Sequence, residues 1–82
     1  MESTPLAQLL VARREALGLR QEDVFDRLVV AGAPIENRQT VSTWETGRSV
    51  PGPRAWAAIC TVYVIDLTTL AHAIAGEEVT RG

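Results

Sequence analysis

Arg38, Gln39, Ser42 and Thr43 bring four hydrogen-bonding side chains into one short stretch of this chain, and Val41 and Trp44 sit among them three residues apart. Wound as a helix, the stretch turns the two apolar residues to one side and the four polar ones to the other. The chemistry on offer is hydrogen bonding to planar edges and to anions. An arginine can fork onto guanine O6 and N7, and a glutamine onto adenine N6 and N7. A serine or threonine can meet a phosphate or a thymine methyl. A short helix with a polar face and two apolar anchors is what insertion into a major groove requires. The acid Glu45 and the glycine Gly47 follow the anchors, and Gly47 gives the helix a defined stop.

Other chemistries have no support in the residues. One cysteine, Cys60, excludes an internal disulfide, and with the single histidine, His72, it leaves too few ligands for a zinc framework. No nucleophile–base pair, metal constellation or phosphate-binding glycine loop can be assembled. The expectation is a protein that is not an enzyme and uses no cofactor or metal. Cys60 reads as an inert core thiol, and His72 as a surface residue.

The elements that must position the polar face are all helical. Thr4-Pro5 is a helix start, and Leu6, Leu9, Leu10 and Leu17 recur at helical spacing before Gly18 stops the run. A second helix begins near Arg20-Gln21, with Glu22 and Asp23 in its first turn and Val24, Phe25 and Leu28 inward. It runs toward Ala31 and ends at Gly32-Ala33-Pro34. Asn37 is the expected N-cap of the third helix, residues 38–46, although an earlier start at Pro34 is compatible with the chain. Ser49-Val50-Pro51-Gly52-Pro53 cannot stay helical. A fourth helix follows with Trp56, Ile59, Cys60 and Tyr63 inward. Asp66 caps a fifth, with Leu67, Leu70, Ala71 and Ile74 inward and Gly76 as its end. The reading is all-α: one domain over residues 1–76 and a flexible tail over 77–82.

Composition agrees with a single small globule. The 82 residues are 46% hydrophobic, too apolar for a disordered chain. No apolar run approaches the roughly 20 residues of a membrane span, and Met1-Glu2-Ser3-Thr4-Pro5 lacks the basic start of a secretory signal. A cytoplasmic protein without a membrane partner is expected. The net charge of −2 is the wrong sign for a nucleic-acid binder. Its distribution is more permissive, because residues 38–63 carry Arg38, Arg48 and Arg54 against Glu45 alone. Every cation is an arginine, the better fork for phosphate or guanine, though a coding bias explains the preference equally well.

Leu17-Gly18-Leu19-Arg20-Gln21-Glu22-Asp23-Val24, followed by Val41-Ser42-Thr43-Trp44-Glu45-Thr46-Gly47 and then Pro51, resembles the Cro/phage-repressor family of lambda-repressor-like helix-turn-helix domains. The likeness spans roughly residues 6–75. It implies a compact five-helix fold and a double-stranded DNA operator as partner, in a bacterial or phage-infected cell. It implies that Gln21 bonds a backbone phosphate from the start of helix two, where free N–H groups face an anion. Asn37 matches the cap of the recognition helix and is grouped with the phosphate contacts. Arg38, Gln39, Ser42 and Thr43 match base-reading positions. Arg48 and Arg54 match positions that grip the backbone, and Arg20 lies close enough to reach a phosphate. Arg14 and Glu45 match a structural ion pair tying helix one to helix three. Each role has a plainer rival, since any of these charges could be an ordinary solvated one.

Two departures from the family pattern stand out. Phe25 occupies a place usually held by a small residue. The family joins the two helices tightly, with about six residues between the positions matching Leu28 and Val41, and this chain has twelve there, residues 29–40. Together they imply an extended helix 2–helix 3 connection, with helix three riding outward over the Phe25 ring. The resemblance points to a transcriptional regulator that binds as a two-fold dimer through helix five and the tail, or as a monomer that pairs only on DNA. The alternative is a protein-binding module on the same fold, an antitoxin or an antagonist of another regulator, which suits the acidic balance.

Overall fold

Thr4 and Pro5 start the first helix as their side chains dictate. The Thr4 hydroxyl accepts the Ala7 N–H at 3.3 Å, and Pro5 fills the first helical position, where no N–H is needed. The computed structural model describes the backbone of residues 4–81 and the side chains of residues 4–76. Its elements are α1 (Pro5–Ala16), α2 (Gln21–Val30), α3 (Gln39–Glu45), α4 (Pro53–Tyr63) and α5 (Leu67–Arg81), with no strand among the described residues. The fold is all-α, as expected. The expectations for residues 1–3 and 82, and for the side chains of 77–81, lie outside the described residues.

The helix ends follow one pattern. In α3 the Gly47 N–H donates to the Trp44 carbonyl at 3.3 Å and the Arg48 N–H to the Thr43 carbonyl at 2.9 Å. This is the Schellman closure, which needs a left-handed residue just past the helix. Gly47 supplies it with φ 78°, and a Cβ there would also lie 3.1 Å from the Thr4 hydroxyl. α4 closes in the same way, with the Ile65 N–H on the Cys60 carbonyl at 3.0 Å. Its left-handed residue is Val64, at φ 55°. A β-branched residue in that region carries a strain of order 1–3 kcal/mol. The α5 start is as expected, since Asp66 Oδ2 accepts the Thr68 N–H at 3.0 Å and the Thr69 N–H at 3.4 Å.

Packing assembles the helices around one core. α1 crosses α5 and α3, α2 lies on α4 and α3, and α4 rests on α5. Leu6, Leu10, Val24, Leu28, Val41, Ile59, Tyr63 and Leu70 are fully buried. The connection from α2 to α3, residues 31–38, is mostly exposed but is pinned to the core at two points. Ala33 is buried in the core cluster and Ile35 packs against it, as does the half-buried Phe25.

Several expected details are corrected. The inward face of α4 is Ala55, Ala58, Ile59, Val62 and Tyr63, so Trp56 and Cys60 lie at its margin, half-buried. The Trp56 indole N–H donates to the Pro51 carbonyl at 3.1 Å, a polar partner that holds it at the rim. Leu17 and Leu67 are exposed because each sits at a helix end, where the face turns away from the core. Gly76 does not end α5, whose backbone continues to Arg81. α3 begins one residue later than expected. Arg38 is its N-cap and no side-chain cap bond is made, so Asn37 is not the cap. Asn37 instead offers its carbonyl to the Thr40 N–H at 3.2 Å, a turn leading into the helix.

Candidate nucleic-acid interface

α3 owes its placement to the side it buries. Val41 is 0% exposed, Trp44 4% and Glu45 5%. A buried carboxylate is costly unless it is paired and hydrogen-bonded, and Glu45 is both. Arg14 Nε, from α1, donates to its two oxygens at 2.8 and 3.1 Å. The Gln21 amide, from the start of α2, donates to Oε1 at 3.2 Å. The Tyr63 hydroxyl, from the end of α4, donates to Oε2 at 2.8 Å. Arg14 is itself held by the Leu19 carbonyl at 3.0 Å. One carboxylate therefore ties α3 to three other helices. The Arg14–Glu45 pair is the one the family resemblance implies; the Tyr63 and Gln21 bonds were not expected.

The opposite side of α3 faces outward. A shallow cleft of about 440 Å³ lies between the starts of α2 and α3, lined by Arg20, Gln21, Glu22, Arg38, Gln39 and Ser42. Five of the residues expected to meet DNA thus share one concavity. Gln21 has one amide hydrogen committed to Glu45 and a second available to an anion. Arg38 and Gln39 are exposed and Ser42 is half-buried. Thr43 is more internal than expected. Its hydroxyl donates to the Thr40 carbonyl at 2.8 Å and accepts from Ser49 at 3.0 Å. Arg48 and Arg54 are exposed on either side of the proline loop, outside the cleft. Asn37 is exposed in the turn before α3.

Glu22 is the residue that sequence reasoning passed over. Its two oxygens divide between Arg20 at 3.1 Å and Arg38 at 3.0 Å. Arg20 also meets Asp23, whose carboxylate accepts the Arg20 backbone N–H at 2.9 Å. That backbone bond, reinforced by the Arg20 guanidinium, holds the Asp23 carboxyl below its usual range. Arg13 of α1 donates from Nε to the Tyr63 carbonyl at 3.1 Å and closes the end of α4.

α2 and α3 are joined over residues 31–38, and the starts of both line the cleft. A family model described as a helix-turn-helix domain matches residues 5–73. The chain belongs to that helix-turn-helix family. No curated protein and no solved structure matches the chain. No helix among the described residues is long and apolar enough to cross a membrane.

The Glu45 cluster gives the helix-turn-helix domain a titration signature. Burial pushes the Tyr63 hydroxyl's ionisation well up, and the neighbouring Glu45 carboxylate adds to it. An unfolded tyrosine ionises near pH 10, so the folded form holds its proton where the unfolded form loses it. The stabilisation is complete below about pH 10 and declines as pH rises beyond it, by up to about 1.4 kcal/mol per pH unit. Tyr63→Phe is expected to cost about 1.5–3 kcal/mol at neutral pH, for a lost bond to a charged group. Its deficit should shrink above pH 10. Urea unfolding of both proteins across that range measures it, and a deficit that stayed constant would refute the assignment.

Proposed function

We propose that the chain is a sequence-specific double-stranded DNA-binding transcriptional regulator of the Cro/phage-repressor type, reading the major groove with the outer face of α3. The observation that carries this reading is the division of α3. Val41, Trp44 and Glu45 are buried, while Arg38, Gln39 and Ser42 line a cleft shared with Gln21. Glu45 is the only acid in residues 38–63, and its burial against Arg14 removes it from the surface. Arg38, Arg48 and Arg54 are exposed on that part of the chain, and Arg38 meets Glu22 of α2 at 3.0 Å. The local charge therefore suits a polyanion better than the net charge suggests.

In this reading Arg38 and Gln39 read base edges, with Ser42 and Thr43 following one turn later. The internal bonds of Thr43 leave its methyl, rather than its hydroxyl, as the contact. Gln21, Arg20, Arg48, Arg54 and the Asn37 turn hold the phosphates. Two copies paired through α5 would address half-sites about one helical turn apart. The net charge of −2 favours a second reading, a protein-binding module such as an antitoxin or an antagonist of another regulator. Salt separates the two, because a DNA regulator loses duplex affinity steeply as salt rises.

Selection of binding sites from random duplex DNA tests the proposal. A consensus should emerge, with symmetry if the chain pairs. Arg38→Ala and Gln39→Ala should each cost about 1–3 kcal/mol of discrimination at one base pair and leave the fold intact. Gln21→Ala and Arg48→Ala should weaken all duplexes about equally. Unchanged consensus affinity in both Arg38→Ala and Gln39→Ala would remove the readout assignment.

A further inference from the structure

We infer that Glu22 is a specificity-determining residue of the DNA-reading cleft, acting as a built-in counter-ion that turns Arg38 away from phosphates and toward neutral base edges. The inference rests on the proposed DNA-reading role of α3. Glu22 stands in the first turn of α2 and reaches across the cleft, with Oε2 3.0 Å from Arg38 Nη1. Its other oxygen is 3.1 Å from Arg20 Nη1. The carboxylate thus lies between two arginines assigned to DNA, and it is the acidic member of the cleft lining.

A guanidinium has five N–H donors, and Glu22 engages Arg38 through Nη1 alone. The remaining donors can fork onto guanine O6 and N7 while the Glu22 bond is kept, since those acceptors carry no formal charge. A phosphate is different. Drawing Arg38 or Arg20 onto it either breaks the Glu22 pair or brings two anions together, and like charges at such distances repel. The pair is solvent-accessible, with side-chain exposures of 67% for Arg38 and 42% for Glu22, so its contribution to folding is small. Its effect is on the choice between ligands. Glu22 lowers affinity for any backbone and lowers it less where a guanine is present at the matching position.

Glu22→Gln keeps the shape and removes the charge. Equilibrium binding of the full chain to a selected consensus duplex and to a scrambled duplex, at two salt concentrations, tests the inference. Glu15→Gln, an exposed change on α1, controls for net charge. Glu22→Gln should tighten the scrambled duplex by about threefold or more, with a steeper salt dependence. The consensus duplex should gain less, so the specificity ratio falls, while Glu15→Gln leaves the ratio unchanged. Equal shifts on both duplexes, matching those of Glu15→Gln, would overturn the role of Glu22 and leave the DNA-binding reading intact. A wild-type chain that binds neither duplex at low salt would overturn both.

Discussion

Glu45→Ala is expected to destabilise the domain by about 3–5 kcal/mol, the cost of removing one partner from a buried ion pair. The loss is a large share of the about 5–15 kcal/mol that holds a small domain folded. Three donors converge on the carboxylate: Arg14 at 2.8 Å, Tyr63 at 2.8 Å and Gln21 at 3.2 Å. Tyr63 is fully buried and the Arg14 side chain is 17% exposed, so water can replace little of what Ala removes. Glu45→Gln keeps the volume and one acceptor but turns an NH2 group toward a donor, and should cost less than Ala. The triple change Arg14→Met, Glu45→Met and Tyr63→Phe removes the acceptor and its two most buried donors together, leaving the half-buried Gln21 amide. It should recover a substantial part of the Ala deficit, because an orphaned partner costs more than an absent pair. Urea denaturation with unchanged m-values reports all three. A Glu45→Ala loss below about 1 kcal/mol would mean that the cluster is not closed in solution.

Legibility in the sequence followed how local each signal was. Thr4-Pro5, Gly18, Gly32, Gly47 and Asp66 act within a turn of themselves, and each marks the helix boundary expected of it. The outward phase of α3 was also readable, since Val41 and Trp44 leave little choice of buried side. α4 was misjudged because its inward face is built partly of alanines, Ala55 and Ala58. Their small side chains give a weak periodic signal, and the larger Trp56 and Cys60 drew the stripe off by a fraction of a turn. Gly76 failed as a stop because no helix-ending turn follows it, and a lone glycine inside a helix costs only about 1 kcal/mol.

The site was half legible for a related reason. Which residues line the cleft depends on α2 and α3 alone, and their types declared themselves. Who neutralises whom depends on the whole fold. Tyr63 lies 18 residues from Glu45 and Gln21 lies 24 away, so no spacing announced their bonds. Glu22 looked like a favourable charge at a helix start, which it is. Only the approach of α3 turned it into a partner of Arg38. The acidic balance of the chain reads differently once these pairings are known. Glu45 is internal, and Glu22 and Asp23 are matched by arginines.

Trp44→Ala is expected to cost about 3–5 kcal/mol, the range for truncating a buried large aromatic. It should also weaken consensus binding. α3 has seven residues, well below the roughly 12–15 at which an isolated helix begins to be stable in water. Its helical state therefore comes from packing rather than propensity. Val41 and Trp44 are its apolar anchors, and Trp44 lies beside Pro34, Ile35, Val50 and Pro51, on the wall built by both flanking loops. Removing the indole loosens α3, the end of the 31–38 connection and the proline loop together. Trp44→Phe, which keeps an aromatic anchor, should lose less stability and keep much of the consensus affinity. The contrast with Arg38→Ala is the informative part. Arg38→Ala should reduce base discrimination with an unchanged unfolding midpoint, whereas Trp44→Ala should lower the midpoint and weaken consensus and scrambled duplexes alike. Amide exchange makes the same distinction, with protection lost across residues 42–48 in Trp44→Ala before the rest of the core opens. A Trp44→Ala protein that unfolded at the wild-type midpoint and still bound its consensus would show that α3 is held by the Glu45 cluster alone.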